Sequence, residues 1–427
     1  MRISRYVMSV RVNENSYMLY SLKTRKYFLY NKENQKNLQK LIDNINKVEY
    51  TLKEVECIRQ LIRKGILIAD EENEIEELEY LENKAKYQNN ELQMMVVVTN
   101  DCNFRCQYCV QEHERKNLTS DAEEKILKFI KNNVKIKRKI KISWFGGEPL
   151  LRFVDIKRIL NDAIEYAKDY DCEIISDFTT NGYLLSSQII QDMKLLNVES
   201  LQITLDGDRE THNKRRYLVG KGGTYDRVKE NLIEALKNGI PIVLRINIDQ
   251  ENVMTATCIL NEIPEQYRKN VIVNIANLYQ AENKISTYEI YKKAIELGYQ
   301  YGERKNQYVA CHTCFSQGYI VDMDANMIMC ANASEDRILG KINEKGNMCI
   351  TNPKVFYQIK TASMVKNPSC QECIQLPFCV STCKKSIYKE NIGCHGKKAN
   401  GLSVEEKAKL DYLYDIKCMK REETYYE

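Results

Sequence analysis

Between residues 6 and 30, apolar and aromatic side chains alternate with polar ones, a period of two that predicts three short strands at Tyr6–Val12, Tyr17–Ser21 and Lys26–Tyr30, with a turn at Asn15-Ser16. The period then lengthens. Leu38, Leu41, Ile42 and Ile45 recur at helical steps. A second helix begins at Thr51, where Glu54 supplies the other half of a capping box; it carries Val55, Ile58, Leu61 and Ile62 and stops at Gly65. Ile66-Leu67-Ile68 reads as an edge strand or wing, so residues 1–88 predict a winged helix-turn-helix. The acidic run from Asp70 to Glu82 reads as a solvated helical linker.

Strand-like and helix-like runs alternate through the centre of the chain. Strands are predicted at Met94–Thr99, Lys141–Phe145, Cys172–Thr179, Leu201–Leu205, Val243–Ile248 and Asn270–Ala276. Helices are predicted at Asp121–Asn133, Phe153–Asp169, Ser186–Leu196 and Tyr225–Asn238. Such alternation argues an α/β fold of parallel β/α units, with chemistry at the C-terminal strand ends.

Directly after the apolar run Met94 to Val98 come Cys102, Cys106 and Cys109, at C-x3-C-x2-C spacing. Three thiolates on one loop can hold three irons of a four-iron cluster and leave the fourth open to a small molecule. The alternative is a structural zinc knuckle, which wants four ligands. Composition narrows the rest. Sixteen cysteines in a 427-residue, lysine-rich chain read as thiolate ligands in a reducing cytoplasm rather than disulfides. A net charge of +5, from 64 basic and 59 acidic residues, makes no case for bulk nucleic-acid binding. The basic residues of the N-terminal segment are also scattered rather than clustered on its second helix. No apolar run approaches the roughly 18 residues of a membrane span.

The cysteine spacing, with Tyr108 before the last cysteine, resembles the signature of radical S-adenosylmethionine (radical SAM) enzymes. Further motifs follow in that family's order: Gly146-Gly147-Glu148-Pro149, Thr179-Thr180-Asn181-Gly182, Leu205-Asp206-Gly207, and His212 through Arg216 before Gly222-Gly223-Thr224-Tyr225. The glycines of the first are expected to allow close backbone approach of a ligand. The resemblance implies an incomplete (β/α)6 barrel over residues 89–298 and SAM bound on the open iron. It also implies contacts from Tyr108, Gly146, Gly147, Glu148, Thr204, Arg216 and Asn247. Thr204 stands where the family has a serine, and Asn213 where it has an aspartate, a position expected to be structural.

Eight more cysteines lie near the C-terminus: Cys311, Cys314, Cys330, Cys370, Cys373, Cys379, Cys383 and Cys394. Their pattern resembles a SPASM domain, here over 299–427. By that resemblance Cys311, Cys314, Cys330 and Cys383 hold one auxiliary cluster, and Cys370, Cys373, Cys379 and Cys394 the other, giving three 4Fe-4S clusters in all. If Cys311 is free, the inner cluster has an open iron able to bind a substrate thiolate. Ala325 departs from the family, which has glycine there. Cys172, Cys258, Cys349 and Cys418 fit no pattern.

Together these resemblances imply a peptide maturase of the ranthipeptide or sactipeptide type. Its N-terminal segment would resemble a RiPP recognition element, which takes a precursor's leader peptide as an extra strand. The expected outcome is a cysteine thioether, with carbon–carbon or carbon–oxygen crosslinks as the alternative. A flavodoxin or ferredoxin would supply electrons. No residue beyond the cluster ligands is assigned a catalytic role. A rival within the class is the anaerobic sulfatase maturase, which carries an aspartate after the cysteine matching Cys330, where this chain has Ala331. A rival outside it is a zinc-dependent DNA-binding regulator.

Overall fold

The computed structural model describes residues 1–47, 49–278, 280, 284–302, 311–331, 338–379 and 401–423. Chain contacts divide the protein into two units: residues 86–303 with 311–362, and residues 1–85 with 304–310 and 363–427.

The second of these opens with strand β1 (Arg2–Ile3) and an antiparallel meander of β2 (Val7–Arg11), β3 (Ser16–Ser21) and β4 (Tyr27–Asn31). Helices α1 (Gln35–Asp43) and α2 (Leu52–Arg63) follow, then β5 (Leu67–Ile68), which pairs with β1. Both halves of the Thr51/Glu54 capping box form. Gly65, at φ +68°, ends α2 with Ile66 N–H bonding the Leu61 carbonyl at 2.9 Å, an end that needs a left-handed residue. Two helices and a two-residue ribbon beside a meander do not resolve into a distinct winged helix-turn-helix. The acidic run is helical from Glu74, as α3 (Glu74–Lys86).

Alternation along the meander gives it two buried faces. Tyr30 packs with Leu38, Leu41, Ile58 and Leu61 of the two helices. Val10, Met18 and Tyr20 pack instead with Met364, Val365, Leu376, Val404 and Ala408. The C-terminal helix (Val404–Glu423) therefore completes the core of the N-terminal meander. A buried ion pair reinforces it. Arg25 grips Asp411 at 2.9 and 2.7 Å, and the Tyr20 hydroxyl donates to the same carboxylate at 2.6 Å.

The central unit is built on six parallel strands in sequence order: β6 (Glu91–Val97), β7 (Lys139–Phe145), β8 (Glu173–Thr180), β9 (Val198–Thr204), β10 (Ile242–Ile248) and β11 (Val271–Asn277). Helices α4 (Ser120–Val134), α5 (Phe153–Ala167), α6 (Ser187–Leu195), α7 (Arg209–Arg215) and α8 (Tyr225–Lys237) lie in the connections. This is the core of a partial β/α barrel. Short β12 (Gln300–Tyr301) extends one edge, beside β11. On the other edge β13 (Gly318–Val321) pairs parallel to β6 and starts an antiparallel run through β14 (Asn326–Ile328), β15 (Ile338–Ile342) and β16 (Met348–Ile350).

Alternate residues of the six strands face opposite ways. Trp144 and Phe178 are buried on the helix side, where Phe178 meets Phe153 of α5. The other face is polar: Lys141 pairs with Asp177 at 3.2 Å, and Arg245 donates to Asn247 and Asn274 at 2.9 and 2.7 Å. These side chains are only half-buried, so the barrel interior is open and hydrophilic.

Candidate functional site: the cysteine loop and its surroundings

The loop after β6 is stitched down on both sides. On one side the end of β7 holds it: Gly147 N–H bonds the Thr99 carbonyl at 2.8 Å, and Glu148 N–H that of Asp101 at 2.9 Å. A Cβ on Gly147 would stand 2.2 Å from the Asp101 oxygen, and one on Gly146 2.5 Å from that of Thr99. These glycines therefore let the cysteine loop approach. On the other side the chain after α7 holds it, through Arg105 N–H to Tyr217 at 2.8 Å and Gln107 N–H to Arg215 at 3.0 Å.

Glu148 is fully buried, and burial raises its pKa. Its carboxylate accepts from the Thr180 hydroxyl at 2.6 Å, Asn181 N–H at 2.7 Å and Leu150 N–H at 2.9 Å. It ties the ends of β7 and β8 together. Asn181 in turn reaches Asn103 at 2.8 Å and lies 3.8 Å from the Cys102 sulfur.

Tyr108 is the hub on the far wall. Its hydroxyl donates to Asp206 and accepts from Arg216 Nη1 at 2.8 Å and Asn247 Nδ2 at 3.2 Å. Asp206 is fully buried and takes a second bond from Asn247 N–H at 2.8 Å. Burial opposes the charge on Arg216, but Tyr108, Cys106 and Asp206 hold it protonated. Thr204, also buried, ends β9 on the same rim. The structure thus gathers Tyr108, Arg216 and Asn247 into one network.

Residues outside the predicted set complete it. Arg215 is buried, grips Asp249 at 2.9 and 2.8 Å, and lies over the Tyr108 ring at 5.2 Å. His212 accepts from Asp206 N–H through Nδ1 at 3.2 Å, so Nε2 carries the proton and faces the Thr224 hydroxyl at 3.1 Å. Burial and the two arginines keep it neutral. Asp206 and His212 stand inside the quoted motifs, so the signal for them was present. Asn213 caps α8, its Oδ1 accepting from Thr224 and Tyr225 N–H at 2.7 and 2.9 Å. An amide oxygen does there what a carboxylate would.

The donor set fits an iron–sulfur cluster. Cys102, Cys106 and Cys109 are free thiols, and the Cys102 sulfur accepts Phe104 N–H at 3.3 Å. Burial pushes Cys102 up to about 12, so a metal would have to displace its proton. Among the described residues no three Cys, His, Asp or Glu side chains converge on a single ion; in a four-iron cluster each thiolate binds its own iron. The buried Arg216 Nε and Asn103 Nδ2 have no hydrogen-bond partner among the described residues, which leaves donors for an anionic or carbonyl group.

Cys311, Cys314 and Cys330 belong to the central unit, and Cys370, Cys373 and Cys379 to the other; Cys383 and Cys394 lie outside the described residues. Each Cys-x2-Cys step forms the same tight turn. Cys314 N–H bonds Cys311 O at 2.9 Å, Cys373 bonds Cys370 at 3.0 Å, and Cys109 bonds Cys106 at 3.1 Å.

Residues 96–254 match the sequence model of the Radical SAM superfamily. That match takes in the cysteine loop and the strands β7 to β10 with their motifs. Its similarities extend further. It is 36% identical over 156 residues to a GTP 3′,8-cyclase of Aliarcobacter butzleri, covering 35% of this chain and 44% of that one, so it spans less than half the cyclase's length. It is 22% identical, over an alignment 454 positions long with its gaps, to the radical SAM cyclopropyl synthase TigE of Paramaledivibacter caminithermalis, covering 91% of this chain and 90% of that one. Among solved structures, anSMEcpe with bound AdoMet and Cp18Cys peptide superimposes with TM-score 0.54 at 16% identity, covering 78% of this chain and 97% of that one; this likeness establishes the fold alone.

Proposed function

We propose that the protein is a radical SAM enzyme that closes a carbon–carbon or carbon–oxygen bond within a peptide. The observation that carries this is the similarity to a cyclopropyl synthase along nine-tenths of both chains, since a cyclopropyl ring is closed by carbon–carbon bonds. That preference replaces the thioether expected from sequence. The likeness to anSMEcpe supports a sulfatase-maturase reading only at the level of fold. Ala331, beside Val97, Ile320 and Ile328, has no carboxylate to offer as a base.

A cluster on Cys102, Cys106 and Cys109 would bind SAM and donate the electron that splits it, giving an adenosyl radical that takes one hydrogen from the substrate. The chain's own residues then have defined tasks. Arg216, held by Tyr108, is aimed to receive a carboxylate, and Asn247 and Thr204 line the same rim. The polar barrel interior suits a peptide backbone better than an apolar ligand. Bond closure removes a second hydrogen as a proton, and the surplus electron would pass to an auxiliary cluster on the C-terminal cysteines. The meander leaves β2 and β4 as edges of its three-stranded sheet, and main-chain pairing along one suits an extended leader.

The test is anaerobic incubation with SAM, a reductant and, as candidate precursors, the peptides encoded by short reading frames that flank the gene. The reading expects a product lighter by two hydrogens whose cysteines all still react with iodoacetamide. A blocked cysteine would restore the thioether, and conversion of one residue with no ring would favour the sulfatase maturase.

A further inference from the structure

Lys360 is a buried cation with no carboxylate within ion-pairing distance among the described residues. It lies on α9 (Pro353–Thr361), which packs on the helical turn His312–Cys314, and it is 8% exposed. Its ammonium donates to the carbonyls of Phe315 at 2.5 Å and Gly318 at 2.6 Å. Two rings enclose it, Tyr319 at 5.0 Å and Phe356 at 5.4 Å from their centroids. Carbonyls and ring faces solvate an ammonium but do not neutralise it, and a buried charge without a counter-charge is costly.

The groups that can supply negative charge are the thiols of Cys311 and Cys314, which stand at the head of the segment Lys360 fastens. Phe315, whose carbonyl takes the ammonium, follows Cys314 directly in the chain, and the α-helix Pro353–Thr361 packs against the turn that holds both cysteines.

We propose that Lys360 is a positioning residue for an iron–sulfur cluster on Cys311 and Cys314, its positive charge making that cluster easier to reduce. The proposal rests on the auxiliary-cluster reading above. A cation beside a cluster stabilises the reduced form, which carries one more negative charge. Such a cluster is then a better acceptor for the electron released when the product bond closes.

The test uses the full chain with Cys102, Cys106 and Cys109 changed to Ala, so that only auxiliary clusters remain. Reconstituted parent protein should hold about eight irons, as two four-iron clusters. Lys360→Met and Lys360→Arg are then compared with it by iron analysis and by EPR-monitored redox titration. The expected result is a midpoint potential moved to more negative values in Lys360→Met and unmoved in Lys360→Arg, with iron content unchanged. An unchanged potential in Lys360→Met overturns the charge assignment. Equal loss of iron from both variants also overturns it, because the lysine would then only pin the loop. Parent protein that takes up no iron overturns the auxiliary-cluster reading itself.

Discussion

The hydroxyl of Tyr108 makes one donated and two accepted bonds, all it can make. Tyr108→Phe removes it and leaves Asp206 and Arg216 short of a partner in a buried site, where such a loss costs about 1.5–3 kcal/mol. The expected outcome is full iron content with an apparent KM for SAM raised roughly tenfold, measured as 5′-deoxyadenosine formation against SAM concentration. Ala325 gives a second single-residue prediction. It has φ +59°, in the turn between β13 and β14, and stands where related sequences were expected to carry glycine. A left-handed alanine costs about 1 kcal/mol. Ala325→Gly should raise the melting temperature of the protein by a few degrees, read by thermal denaturation. Sequence alone marked that position as a departure; only the backbone shows that the departure carries strain.

At the scale of elements, the strands and helices of the barrel were legible because parallel β/α units write a strong, repeated pattern. All six strands fall where β-branched and aromatic runs stand, within a few residues at each end. The capping box at Thr51 and the stop at Gly65 were readable for the same reason, since each is a local bond pattern. The purpose of Gly146 and Gly147 was not, because it depends on which backbone lies across from them. The end of β7 and the cysteine loop touch main chain to main chain, and an added methyl meets carbonyl oxygens that cannot turn aside. Gly147→Ala should displace the loop and lower reconstituted iron by about four per chain, while iron on the proposed auxiliary clusters is retained. The polar interior face was partly legible from Arg245 and Asn247, which alternate on β10. Lys141 and Asp177 joined it only once neighbouring strands were in register.

At the scale of the whole molecule, a boundary near residue 88 looked like a clean cut, because sequence pattern falls silent about distant partners. The meander in fact shares its core with residues 364–408. Truncation to 89–427 would remove Tyr6, Val10, Met18 and Tyr20 from that core, and Arg25 from buried Asp411. Breaking one partner of a buried pair alone costs about 3–5 kcal/mol. The truncated chain is expected to aggregate, visible by size-exclusion chromatography, so leader binding is better tested in the full chain with free leader peptide as competitor. The proposed reaction needs three thiolates on a sewn-down loop beside an arginine that receives a carboxylate. Its most direct test is 5′-deoxyadenosine formation from SAM by anaerobically reconstituted, dithionite-reduced protein. The account predicts turnover in the native chain and none in Cys106→Ala; no 5′-deoxyadenosine from the native chain, or equal amounts from both, would contradict it.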